Sequence, residues 1–216
     1  RGHRVVVFEA ADEPGGQVRL TARTKRRSEM IGIIDWRMAQ AAARDVEFRF
    51  NTFAEAGDIL AEKPDVVIIA TGGMPEKDIL EFGNDLTVTS WDILSGDVKP
   101  GQNVLLYDDA GDHTALQAAQ ALAEAGATVE IMTPDRSFAP EVMAMNLVPY
   151  MRAMQDKNVT FTVTYRLTGA KKSGNQLTAV IGSDYMKLAQ EREFDQIVVN
   201  HGTISPQTSA AIPAWK

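Results

Sequence analysis

Short apolar runs and helical periodicities alternate along this chain. Val5 to Phe8 are continuously apolar up to Glu9, the pattern of a strand covered on both faces of a parallel sheet. After the loop "PGGQVRLTART", Ser28 is placed to cap a helix in which Ile31, Ile34, Met38 and Ala41 share one face. "VEFRF" predicts a strand, a short helical piece runs to Lys63-Pro64, and "DVVIIATGG" predicts a second buried strand that breaks at paired glycines. From Asn103 the alternation starts again. "NVLLYDD" predicts a strand, residues 113–125 a helix, "TVEIMT" a strand, and "VMAMNLVPYMRAMQ" a helix carrying Pro149. "VTFTVTYRLTGAKK", "NQLTAVIGSD" and "KLAQEREF" predict an antiparallel meander, with "KSGNQ" as a hairpin turn. The closing "FDQIVVNHGT" repeats the shape of "PDVVIIATGG", which predicts that the last strand returns to the first sheet.

Strands and helices at this spacing define an α/β fold. The stretch from Met74 to Gln102, rich in glycine, proline and aspartate, predicts a crossing between domains. The expected architecture is therefore two Rossmann-like, three-layer domains of the FAD/NAD(P)-binding type, the second carrying the β-meander and inserted in the first. Residues 1–92 plus 194–216 form the first and residues 93–193 the second.

Composition narrows the chemistry. A formal charge of −7, with the basic residues clustered only at Arg23 to Arg27, predicts no nucleic-acid partner. No apolar run is long enough to span a bilayer, so no membrane contact and a cytoplasmic location are expected. Cysteine is absent, which excludes a disulfide, a thiolate nucleophile and cysteine-held zinc or iron–sulfur within this sequence. A reductase built on a redox cysteine pair is excluded with them.

The residues that carry chemistry sit at strand ends. In a dinucleotide-binding fold, the acid closing the second strand accepts hydrogen bonds from the adenosine ribose, and Glu9 stands at such a position. Gly15 and Gly16, followed by Gln17, offer backbone with no Cβ to an approaching phosphate or flavin. Thr71 and Gly72 end the apolar run with small groups past which a flat ligand can lie. The turn after "NVLLY" reads differently. A pyrophosphate binds at a helix N-terminus because unpaired N–H groups and the helix dipole attract negative charge. Here Asp108, Asp109 and Asp112 supply that charge, Gly111 is the only glycine, and Thr133 stands where the first unit has Glu9. NAD(P) is not expected in the second unit. His201 is placed to touch a cofactor if the last strand rejoins the first sheet, whereas His3 reads as solvated and His113 as a charge partner. Met143, Met145, Met151 and Met154 have helical spacing and read as core. Trp36, Trp91 and Trp215 show no stacking pattern, and no catalytic or metal-ligating set emerges.

"VVVFEAADEPGGQ", "DVVIIATGGMP", the second unit with its meander and "FDQIVVNHGT" together resemble the multidomain NADH:flavin oxidoreductases related to old yellow enzyme, a family that includes trimethylamine dehydrogenase and 2,4-dienoyl-CoA reductase. "YDDAGDHTALQAA" and "TPDRSFAPEVMAMNLVPYMR" are most similar to its N-methylproline (stachydrine) and dimethylglycine demethylase branch. The resemblance implies an N-terminal barrel with FMN and substrate, a [4Fe–4S] centre, and two C-terminal nucleotide-fold domains, of which this chain is the latter part. It implies that the first strand of the FAD-type domain lies upstream, and that FAD or ADP occupies the first nucleotide site through Glu9, Gly15, Gly16, Gln17, Thr71 and Gly72. The implied partners are the barrel domain, a small-molecule substrate and an external electron carrier, with an oligomer also possible. The implied activity is oxidative N-demethylation of an N-methylated amino acid at FMN, this portion being non-catalytic alone. The alternatives are an NAD(P)H-dependent enoate or dienoyl-CoA reductase, and a vestigial scaffold or carrier-docking module.

Overall fold

The computed structural model describes residues 2–205, so Trp215 and the tail from Pro206 lie outside the described residues. The chain divides at Gly72/Gly73 into two compact units.

The first unit runs β1 (Val6–Phe8), α1 (Gly16–Ala22), a 3-10 segment (Lys25–Met30), α2 (Ile31–Ala42), β2 (Glu47–Arg49) and α3 (Ala56–Ala61). β1 and β2 pair in parallel, Val6 opposite Glu47 and Phe8 opposite Arg49. The helical face read from the sequence is correct: Ile34 is buried, and Ile31, Met38 and Ala41 are half-buried. Ser28 does not cap α2. The 3-10 segment runs straight into the helix with Met30 already in helical φ/ψ, so no extended residue is there to turn a side chain back onto the first amides. Ser28 Oγ instead donates to the Lys25 carbonyl. Arg49 pairs with Glu47 and Glu62, and Arg4 with the same two acids, an exposed network tying β2 to the end of α3.

The run "DVVIIATGG" departs from expectation. It forms no strand, and Val66 and Ile68 are 76% and 84% exposed. A strand of a parallel sheet is apolar on both sides because neighbours cover it. Among the described residues, no strand of this unit pairs with it. Ile34 is the only fully buried apolar side chain described in the unit.

The second unit is built differently. It contains β3 (Met74–Pro75), a 3-10 turn at Asn84–Leu86, β4 (Val88–Thr89), α4 (Ser90–Ser95), β5 (Asn103–Asp108), α5 (His113–Glu124) and β6 (Thr128–Thr133). After these come α6 (Ala144–Met154), β7 (Val159–Val163), β8 (Arg166–Ser173), β9 (Gln176–Gly182), β10 (Gln190–Phe194), β11 (Gln196–Asn200) and β12 (Thr203–Ile204). A five-stranded parallel sheet has the order β4-β11-β5-β6-β7, and β10-β9-β8 form an antiparallel sheet. Side chains alternate across β5. Leu105 and Tyr107 join Ile197, Val199 and Met132 against Leu167, Ala179, Ile181 and Phe194 of the antiparallel layer. Val104 and Leu106 are fully buried on the opposite face. α5 packs on β5 and β6 and buries Ala115, Leu116, Ala118, Ala119 and Leu122, the alanines keeping the helix close to its neighbours.

Four readings change. The last strand does not return to a first sheet: β11 pairs with β5 and β4, so residues 196–205 lie with the second unit, while residues 206–216, also expected with the first, are outside the described residues. Its apolar face completes the cluster around Tyr107, which is where its burial is satisfied. The stretch from Met74 to Gln102 belongs to the second unit, where Thr89 and Asp92 form a capping box on α4 and Ile93 and Leu94 are buried. Val159–Val163 is a parallel strand beside β6, and the antiparallel part begins only at Arg166. Of the four methionines read as core, Met154 is buried but Met143 and Met145 are exposed.

Leu106→Ala should lower the unfolding free energy by about 2–5 kcal/mol, the cost of a cavity in a core this closed. Ile68→Ser in the same chain should change it by less than about 0.5 kcal/mol. Urea denaturation of both variants checks the contrast, and an equal loss in the two would show Ile68 to be covered.

Candidate functional site

The polar residues of the second unit converge where β5 and β11 end. Asp108 closes β5 with 1% of its surface exposed, and its Oδ1 accepts from the Gly111 and Ala110 amides at 2.9 and 3.2 Å. Asp112 caps α5, its Oδ1 accepting from the Thr114 amide at 2.9 Å. Such a cap contributes about 0.5–2 kcal/mol. Asn200 ends β11 between the two carboxylates. Its Nδ2 donates to Asp108 Oδ1 at 3.0 Å and Asp112 Oδ1 at 3.2 Å, while its Oδ1 accepts from Ser90 Oγ at 2.6 Å. The main chain adds one more tie, Asp109 N–H donating to the Asn200 carbonyl.

The electrostatics follow from burial. Desolvation pushes the Asp108 carboxyl up to about 6, although the hydrogen bonds from Asn200 and Gly111 favour its ionised form and Asp112 opposes it. Burial also raises the Tyr107 phenol, whose hydroxyl accepts from Arg166. Arg166 is in turn held charged by its hydrogen bonds to Asp184. His201 hydrogen-bonds Asp109 through Nδ1, and its Nε2 lies 3.9 Å from Glu76. Thr133 is buried at the end of β6, with its Oγ1 accepting from the Asp135 amide. The Asp109, Ala110, Gly111 and Thr114 amides of the turn are thus met by the chain's own oxygens.

The expected site residues of the first unit lie apart in sequence, Glu9 directly after β1 and Thr71 and Gly72 at the end of a run that forms no strand. Glu9 follows β1, and its Oε1 accepts from the Ala11 amide at 3.0 Å. The paired glycines have separate roles. Gly15 sits at φ +125, and a Cβ there would come within 2.2 Å of Ile34 Cδ1, so its bareness serves packing against α2. Gly16, at φ +46, faces open space. Gln17 is exposed in the first turn of α1, and Thr71 and Gly72 are exposed at the end of the extended run. His201 follows β11 in the second unit, on Asp109 and Glu76, not on a sheet of the first. His3 is exposed, and His113 opens α5 with its ring against Tyr150. Asn200 and Ser90 were not singled out from the sequence. The only signal for Asn200 was a buried-strand pattern ending in an amide directly before "HG". Among the described residues, no group of three or more His, Asp or Glu is arranged to hold a metal ion, and no helix is long and apolar enough to cross a membrane.

No family model matches the chain. It is 69% identical over 204 residues to a probable N-methylproline demethylase of Rhizobium meliloti (strain 1021), covering 94% of this chain and 30% of that protein. It is 39% identical over 209 residues to an N,N-dimethylglycine/sarcosine dehydrogenase of Chromohalobacter salexigens, again with 94% and 30% covered. Among solved structures, a 2-naphthoyl-CoA reductase superposes with a TM-score of 0.83 at 28% identity, covering 96% of this chain and 30% of that one. The chain thus spans about a third of the length of these relatives. The resemblance to the oxidoreductases and demethylases read from the residues is borne out along nearly the whole chain.

Asp108 gives a pH signature with a definite sign. Its folded value of about 6 exceeds the ordinary carboxylate value, so its contribution to stability is complete below about pH 4 and lost as pH rises through 6. Asp108→Asn keeps an acceptor for Gly111 and Ala110 and removes the buried charge. The variant should therefore be more stable than the parent at pH 7.5, by up to about 3 kcal/mol, and about equal to it at pH 4. Urea midpoints at the two pH values test this; an equal shift at both would remove the buried charge as the cause.

Proposed function

We propose that this chain, a relative of N-methylproline demethylase and of dimethylglycine/sarcosine dehydrogenase, is the nucleotide-fold portion of a flavin-dependent oxidoreductase that demethylates an N-methylated amino acid. The observation that carries the reading is the second unit's turn. Two carboxylates and the Asn200 amide occupy the helix N-terminus where a nicotinamide dinucleotide would put its diphosphate. An added diphosphate would meet Asp108 and Asp112 at close range with little water between them, which costs several kcal/mol. Electrons then enter from an oxidisable substrate, not from NAD(P)H.

In this reading the first unit is an FAD- or ADP-binding, Rossmann-like domain completed by a further strand, and the second is its degenerate NAD(P)-binding counterpart. The residues present fit the first role. Glu9 offers a carboxylate oxygen to the ribose hydroxyls, and Gly16 presents bare backbone at the start of α1. Gln17, Thr71 and Gly72 border the same ligand. FMN and a [4Fe–4S] centre would belong to the remaining part of the protein, the barrel domain, where they would supply the two-electron oxidation and the onward transfer of electrons to a carrier. The flavin would accept a hydride equivalent from the N-methyl carbon, and the resulting iminium would take up water to give formaldehyde, the demethylated amine and a proton. No residue of this chain touches those atoms. Its residues hold the adenine nucleotide and keep nicotinamide out.

The full-length protein mixed anaerobically with NADH or NADPH should keep its oxidised flavin absorbance and lose it on addition of N-methylproline or dimethylglycine. Bleaching by NAD(P)H alone would favour a reductase of the 2-naphthoyl-CoA type instead. Glu9→Ala should weaken retention of the adenine nucleotide by about tenfold while leaving the folded fraction unchanged, as read by nucleotide released on dialysis and by circular dichroism. Full retention would remove Glu9 from the site.

A further inference from the structure

We infer that the segment Phe138–Val142 is a built-in cover over the nucleotide-type turn of the second unit, with Pro140 filling the space that the turn's glycine opens. This rests on the reading that the second unit does not use a nicotinamide cofactor, and it identifies a steric element in addition to the acidic one.

The turn between β5 and α5 has a single glycine. In a phosphate-binding turn, such a residue lets the ligand reach the backbone where a Cβ would otherwise stand. Gly111 adopts φ +67, as that role requires. The space beside it is already taken: a Cβ built on Gly111 would come within 2.4 Å of Pro140 Cδ and 2.7 Å of its Cγ. The glycine admits the chain's own proline. A hydrogen bond holds the two segments together, the Glu141 amide donating to the Gly111 carbonyl at 3.1 Å.

The cover is anchored on both sides of this contact. Ala139 is 3% exposed and Val142 5% exposed, so the residues flanking Pro140 and Glu141 are buried while those two are not. The Val142 amide donates to the Ala139 carbonyl, which makes the segment a tight turn. Ala139 itself adopts φ +51, a conformation that a residue with a Cβ holds only where its surroundings impose it. Phe138 packs its ring on Phe161 of β7, with centroids 4.4 Å apart. Charge and shape are thus two separate obstacles at one turn. The amides of Ala110, Gly111 and Thr114 are met by Asp108 and Asp112, and the approach over Gly111 is met by Pro140.

Three forms of the full chain separate the two obstacles, each titrated with NADH and followed by nicotinamide fluorescence. The parent should not bind. Asp108→Asn with Asp112→Ser, which removes the charges but keeps a capping hydroxyl, should also fail while the cover is in place. Adding Ala139→Gly and Pro140→Gly to that pair should raise affinity by at least about tenfold. Equal binding by the two neutralised forms would overturn the cover and leave the acidic turn as the whole obstacle. No gain in the fourfold variant would overturn it too, and binding by the parent would overturn both the cover and the reading beneath it. Gly111→Ala gives a readout independent of ligand. Its Cβ should displace Pro140 and speed hydrogen exchange at the Glu141 and Val142 amides, with β5 and β6 unchanged; unaltered exchange at Glu141 would show that Pro140 does not bear on the turn.

Discussion

One carboxamide organises the second unit. Asn200 spends both ends of its side chain on groups from other elements: its two donors on the acids that begin and end the β5–α5 turn, its acceptor on the hydroxyl that opens α4. Only an amide can do this, because the three partners need donors and an acceptor on one short, uncharged group. Around it Asp108, Ser90 and Asn200 itself are almost fully buried, so each of these bonds offsets a desolvation cost that would otherwise count against the fold. Together with the β11–β5 ladder, these bonds tie the end of β11 to the end of β5, the turn and the start of α4.

Much of the fold was legible because it follows from burial alone. "TVEIMT", "NVLLYD" and the alanine-rich helix are read within a residue or two of where they lie, since an element covered on both faces has little choice of side chain. Partner choice was not legible. "FDQIVVNHGT" and "PDVVIIATGG" share a pattern, but one fills a gap beside β5 and the other pairs with nothing described, because an apolar run specifies that it must be covered and not by which strand. The same limit explains β7. "VTFTV" alternates no differently from the antiparallel strands that follow it, and only the sheet shows that it runs parallel to β6.

The site was legible in its charges and not in its contacts. Three aspartates at a nucleotide-type turn can be counted in sequence, and their consequence for an incoming diphosphate follows from Coulomb's law. Asn200, ninety-two residues from Asp108 in sequence, becomes visible only when β11 is laid beside β5. Gly111 shows the difference well. In sequence it reads as the one glycine of an acidic turn, whereas in space it is half of a glycine–proline contact. Gly15 makes the same point in the first unit, its missing Cβ answering to Ile34 and leaving Gly16 as the glycine open to a ligand.

The exposed run from Val66 to Ile69 has a consequence for handling the chain. Four β-branched side chains, uncharged and without a strand partner among the described residues, are what cross-β stacking selects. A strand laid beside that stretch, such as the further strand proposed for the first unit, would satisfy its backbone and cover its side chains together. Lys63, Pro64 and Asp65 stand directly ahead of it, a charge, a missing amide and a second charge, the residue types that interrupt cross-β stacking.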